Sequence, residues 1–71
     1  MYEIKQYDYR GKVKIVLEGQ SLALCKLWAL QNTKGKSSTF VYNESGDPIY
    51  LVEGQGKDKF PEIHDITSVL C

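Results

Sequence analysis

From Lys12 to Leu17 the residues Val13, Ile15 and Leu17 alternate with Lys12, Lys14 and Val16. That period of two predicts a half-buried strand over residues 12–18. The preceding run, residues 2–9, carries Ile4 among Tyr2, Tyr7 and Tyr9 without a helical stripe, and Arg10-Gly11 between the two runs reads as a tight turn. A two-residue loop there predicts a hairpin in which Tyr9 faces Lys12, Tyr7 faces Lys14 and Ile4 faces Leu17. Residues directly opposite share a face. Ile4, Val13, Ile15 and Leu17 are therefore expected toward a core, and Lys5, Tyr7, Tyr9, Lys12 and Lys14 toward water.

Gly19-Gln20 breaks the strand, and Ser21 is placed to accept from an orphan amide of a first helical turn. Leu22 to Leu30 are mostly strong helix formers, and the spacing predicts a helix over 21–32, closed by Lys34 and Gly35. Between Leu22 and Leu30 only Lys26 is polar. Leu24, Leu27 and Trp28 form one stripe with Gln31, while Leu22, Cys25 and Ala29 form a second. A helix that is apolar all round must be covered on more than one side.

Phe40-Val41-Tyr42 and Ile49-Tyr50-Leu51-Val52 are strand-like, and Asn43-Glu44-Ser45-Gly46-Asp47-Pro48 between them is dense in turn formers. A loop centred on Ser45-Gly46 places Phe40, Tyr42, Ile49 and Leu51 on one face and Val41, Tyr50 and Val52 on the other. Both faces are apolar, the pattern of a sheet covered on both sides. Residues 54–59 read as a polar connector. Ile63, Ile66 and Leu70 recur at helical spacing after Pro61, which predicts a C-terminal helix over 61–70; an extra strand from Ile63 to Val69 is the alternative. The expected architecture is one α+β domain, ββαββ(α): strands over 2–9, 12–18, 38–43 and 48–53, a four-stranded mixed or antiparallel sheet, the central helix on one face and a short helix at the end.

At 71 residues such a chain buries roughly 60% of its unfolded surface, and chains of this size often need a disulfide, a metal or a partner. Nine basic residues balance nine acidic ones, which argues against a dedicated nucleic-acid or membrane-surface protein while leaving room for a local patch. Cys25 and Cys71 make no disulfide framework, and neither a signal peptide nor a membrane-length apolar run is present. A cytoplasmic location follows as an expectation. Asn43-Glu44-Ser45 matches a glycosylation sequon but reads as turn chemistry.

No catalytic, metal or cofactor motif emerges. His64, the one histidine, sits beside Glu62 and Asp65 and reads as a solvated surface residue rather than a general base. One histidine and two distant cysteines do not supply a zinc site. Gly35-Lys36-Ser37 lacks the earlier glycine and the strand-to-helix context of a phosphate loop, and Gly54-Gln55-Gly56 lacks the third glycine of a dinucleotide fingerprint. The expected function is a non-enzymatic interaction or regulatory module that pairs with a second copy or another protein, with no membrane role. Its contact surface is expected at Leu22, Cys25 and Ala29, or at Val41, Tyr50 and Val52. The alternative is a small nucleic-acid-binding protein using Lys5, Tyr7, Tyr9, Arg10, Lys12 and Lys14, whose rings stack bases and whose cations meet phosphates.

Overall fold

The structure, a computed structural model that describes residues 1–66, is organised by two hairpins that share one turn. In the first, Asp8 Oδ1 accepts from the backbone N–H of Arg10 and of Lys12 at 2.9 and 3.0 Å. In the second, Asn43 Oδ1 accepts from the N–H of Ser45 and of Asp47 at 3.0 and 2.9 Å. Gly11 and Gly46 stand three residues after these side chains with φ of 81° and 84°, a conformation that glycine adopts without steric cost. Each turn is followed by a register shift, between Gln6 and Tyr7 in one hairpin and between Val41 and Tyr42 in the other. An extra residue in one strand of each pair is a β-bulge.

The elements are β1 (Tyr2–Tyr7), β2 (Val13–Gly19), α1 (Leu22–Asn32), β3 (Ser38–Tyr42), β4 (Pro48–Glu53) and β5 (Glu62–Asp65). The strands form one antiparallel sheet in the order β2-β1-β3-β4-β5. β2 and β3 both run against β1, so they are parallel to each other, with β1 between them and α1 as the crossover. The helix starts where its cap predicts: the Ser21 side chain accepts from the Leu24 N–H.

The bulges correct the expected pairings. Ile4 does face Leu17, but Tyr7 faces Val13 rather than Lys14, and Val13 is 54% exposed instead of entering the core. The strand expected to reach Tyr9 ends at Tyr7, because Asp8 already binds the turn. In the second hairpin Val41 faces Tyr50 and Phe40 faces Leu51, but Tyr42 faces Pro48. The displaced Ile49 is buried rather than sharing the face of Phe40 and Tyr42. The sheet has five strands rather than four, and the expected C-terminal helix is absent over 61–66. There the chain pairs with the free side of β4, and the Ile66 N–H donates to the Ile49 carbonyl at 3.0 Å. The Glu62-Ile63-His64-Asp65 alternation suits a strand as well as Ile63 and Ile66 suit a helix, and the open strand edge decides between them. Residues 67–71 of that expected helix lie outside the described residues.

Register places Ile4, Gln6, Ile15, Leu17, Thr39, Val41, Tyr50, Val52, Ile63 and Asp65 on the side that α1 covers. The core consists of Ile4, Cys25, Ala29, Val41, Ile49, Tyr50 and Val52, with Tyr2, Leu22 and Trp28 packed against it. This corrects the expected contact surface. Leu22, Cys25 and Ala29 on the helix meet Val41, Tyr50 and Val52 on the sheet within one chain, so both candidate faces are consumed by the fold. Small side chains at 25 and 29 bring the helix close to the sheet.

A buried polar cluster fixes the far end of the helix. Gln6 Nε2 donates to the Asn32 carbonyl at 2.9 Å and to Thr39 Oγ1 at 3.0 Å. Thr33 Oγ1 donates to the Ala29 carbonyl and lies 2.6 Å from Thr39 Oγ1. Every buried side-chain polar atom among the described residues has a partner, as a low-dielectric interior requires. Beyond it, the Gly54 N–H donates to the Ser37 carbonyl at 2.8 Å, and a Cβ on Gly54 would stand 2.2 Å from the Gly35 carbonyl oxygen.

Three substitutions test this packing. Ala29→Glu and Val52→Asp each place a charge at a site with 0% exposure and are expected to abolish the cooperative thermal transition. Gly54→Ala is expected to lower stability in urea by about 2 kcal/mol or more, because backbone rather than a flexible side chain must give way. Wild-type stability in any of the three would contradict the arrangement.

Candidate interaction surfaces

Among the described residues one helix covers one face of the sheet, and that leaves two surfaces open. The first is the outer side of α1. Leu24, Leu27 and Leu30 are 66%, 48% and 40% exposed. They follow from the same composition that buries Cys25 and Ala29, since a helix without a polar stripe has no polar side to turn outward. Leu17 and half-buried Trp28 continue this surface over β2, where a hollow of about 200 Å³ is lined by Ile4, Leu17, Leu24, Cys25 and Trp28, with Glu18 and Gly19 at the end of β2. Exposed Ile63 continues it on the β5 side. The one cation on the helix, Lys26, is held by Asp65 Oδ2 at 2.9 Å and lies 5.3 Å from the centre of the Tyr50 ring. Burial, and then the Asp65 charge, push the Tyr50 phenol above its ordinary pKa, with Lys26 opposing. The layer is therefore apolar and locally neutral. Burial also pushes the Cys25 thiol up; at 2% exposure it is a packing group, not a nucleophile.

The second surface is the sheet face away from α1. Register assigns it Glu3, Lys5 and Tyr7 of β1, Val16 and Glu18 of β2, Ser38, Phe40 and Tyr42 of β3, Leu51 and Glu53 of β4, and Glu62 and His64 of β5. The adjacency of β1 and β3 gathers three rings. Tyr7 meets Phe40 edge to face at 5.6 Å between centroids, and Phe40 and Tyr42 lie 6.1 Å apart at 19°. Lys5 Nζ is 5.6 Å from the centre of the Tyr42 ring. Burial, the Tyr7 hydrogen bond and the Tyr7 and Glu3 charges push the Tyr42 phenol up to about 12. A hollow of about 460 Å³ opens at this end, lined by Tyr7, Asp8, Tyr9, Gly11, Lys36, Ser38, Phe40 and Tyr42.

The basic and aromatic residues expected to act together are thus partly brought together. Lys5 and Tyr7 share the open face, exposed Tyr9 and Arg10 sit in the turn beside it with Arg10 Nε donating to the Tyr9 hydroxyl, and Lys12 and Lys14 border it at the turn and the bulge. Lys36 lines the same hollow. Sequence reasoning missed that Phe40 and Tyr42 join them, because nothing in the chain's periodicity says that β3 lies against β1. It also missed a trio on β4 and β5. Glu53 and Glu62 face each other, His64 is two residues on, and their ligand atoms lie within 4.8 Å of one another. His64 Nε2 stands 3.2 Å from Glu62 Oε1. The Glu62-x-His64 spacing was visible in the sequence; the opposition of Glu53 was not.

Comparison with protein-family models, with curated proteins and with solved structures gives no match. The surfaces themselves must carry the functional reading. No described helix is long and apolar enough to cross a membrane.

The Tyr42 environment has a measurable sign. Its phenol ionises near 10 when unfolded and near 12 when folded. The stability it confers is therefore complete below pH 10 and lost as pH rises toward 12. Urea unfolding of Tyr42→Phe is expected to fall less steeply over that window than unfolding of the wild type. Identical slopes would contradict the half-buried Tyr7–Tyr42 contact.

Proposed function

We propose that the chain is a small, non-enzymatic, intracellular interaction module that pairs with a second copy of itself through the outer side of α1. The observation that carries this reading is the stripe of Leu24, Leu27 and Leu30, exposed on a helix whose other side is already spent on the sheet. Its neutrality favours a second copy over a charged partner. On a two-fold axis a surface meets itself, so any unbalanced charge would face its own kind; Lys26 is balanced by Asp65 within the chain.

The magnitude sets the affinity range. The exposed fractions of the three leucines amount to about one and a half leucine side chains, worth roughly 2–5 kcal/mol per chain when covered. Twice that, with Leu17, Trp28 and Ile63 at the margins, stands against an association cost of about 4–15 kcal/mol. The two terms are comparable, so the pairing is weak and reversible and fills only at high concentration, not an obligate one.

Light scattering across micromolar to millimolar concentration tests the reading. Wild type is expected to rise from 8.1 kDa toward twice that mass, while Leu24→Glu and Leu27→Glu remain at the single-chain mass with an unchanged fold by circular dichroism. A chain ending at Ile66 is expected to dimerise as the wild type does. A wild type of single-chain mass throughout would overturn the reading. So would loss of fold in both glutamate variants, which would mean that the chain's own C-terminal residues cover the helix.

A further inference from the structure

We infer that the open face of the sheet binds single-stranded nucleic acid across β1 and β3, at the end nearest the first hairpin turn. The inference does not rest on dimerisation, because this face lies on the opposite side of the sheet from α1.

Its first support is the array of rings. Tyr7, Phe40 and Tyr42 lie on neighbouring central strands, and Tyr9, 70% exposed, stands at the edge of the hollow they line. Aromatic side chains on an uncovered sheet present flat apolar area to unpaired bases, and every base offers a face to stack. A duplex keeps its bases stacked on one another and has none to offer.

The second support is charge. The chain is neutral as a whole, with nine residues of each sign, but the charges are segregated. Lys5 lies over the Tyr42 ring, Arg10 over the Tyr9 ring, and Lys36 lines the hollow; Lys12 and Lys14 follow in the turn and at the bulge, and Asp8 is the one acid in residues 4–17. That carboxylate is occupied by the turn amides. Glu3 reaches Lys5 at 3.5 Å, an exposed pair of little energy. Of the remaining acids of this face, Glu18 lies opposite Glu3 at the other end, Glu53 is opposite Ser38 on the neighbouring strand β4, and Glu62 is opposite Glu53 on β5. They repel phosphate on the β4 and β5 side and leave β1 and the first turn as the side open to a polyanion. Neutralising three to five phosphates gives a slope of log affinity against log salt of about −2 to −3.5.

Fluorescence anisotropy with labelled oligo(dT) and oligo(U) of about eight nucleotides, a length within one such site, provides the test. Wild type is expected to bind both at about 20 mM salt and to lose affinity on the slope above. The double variant Tyr9→Ala/Lys36→Glu alters two exposed side chains and is expected to weaken binding at least tenfold with no change in fold. The dimer-face variant Leu27→Glu, which adds a charge on the opposite side of the sheet, is expected to leave it unchanged. A duplex of the same length is expected to bind at least tenfold more weakly than either single strand. Absence of salt-sensitive binding, equal affinity for duplex, or equal loss in Leu27→Glu would each overturn the inference. Loss of self-association in Tyr9→Ala/Lys36→Glu, without nucleic-acid binding by wild type, would also overturn it by assigning the face to a second copy.

Discussion

The structure depends on one contact, the close seating of α1 on β1, β3 and β4 through Cys25 and Ala29. Small side chains at these positions let the helix approach until Val41 and Val52 beneath it are fully excluded from water. Such a contact usually comes with a polar far side, which this helix lacks. Burying one stripe of it necessarily exposes another, and Leu24, Leu27 and Leu30 are that other stripe. The Gln6, Thr33 and Thr39 cluster adds direction to an otherwise uniform helix: it locks the C-terminal end of α1 to β1 and β3 through satisfied hydrogen bonds, and so determines which leucines face outward.

Among the described residues a single helix over five strands also leaves the far side of the sheet bare, and the two uncovered surfaces differ in kind. The helix side is continuous hydrocarbon with its one cation neutralised. The sheet side is half aromatic and basic, half acidic. A net charge of zero conceals this division, since Lys5, Arg10, Lys12 and Lys14 cluster around the first turn while Glu18, Glu53 and Glu62 lie on the other strands. Surfaces of these two chemistries favour different partners, a second apolar face in one case and a polyanion with exposed rings in the other. They can be occupied together because the sheet separates them.

Much of this was legible in the chain. Ser21 marked the start of α1, the alternation of Val13, Ile15 and Leu17 marked a strand, and the turn formers around Gly46 marked the second hairpin. The excess of apolar surface was legible too, but its location was misjudged. Cys25, Ala29, Val41, Tyr50 and Val52 were expected to contact a partner because the helix and the second hairpin were weighed separately, and packing one against the other consumes both. The bulges could not be read from period alone. Asp8 and Asn43 each bind two turn amides, lengthen the loop and shift one residue out of register, which frees Val13 to solvent and turns Ile49 into the core. The aromatic array and the Glu53, Glu62 and His64 trio depend on strand order, a long-range property with no local sequence signal. Ile63 and Ile66 fit a helix or a strand, and the unpaired edge of β4 settled the choice.

The central claim is that the outer side of α1 is open in one chain and closed by another. An isotope-filtered NMR experiment on a mixture of labelled and unlabelled wild-type chains tests it most directly, because it reports only contacts between molecules. The account predicts intermolecular contacts among the methyl groups of Leu24, Leu27 and Leu30. Their absence at millimolar concentration, with the same methyls in contact with Val69 and Leu70 of their own chain, would contradict it.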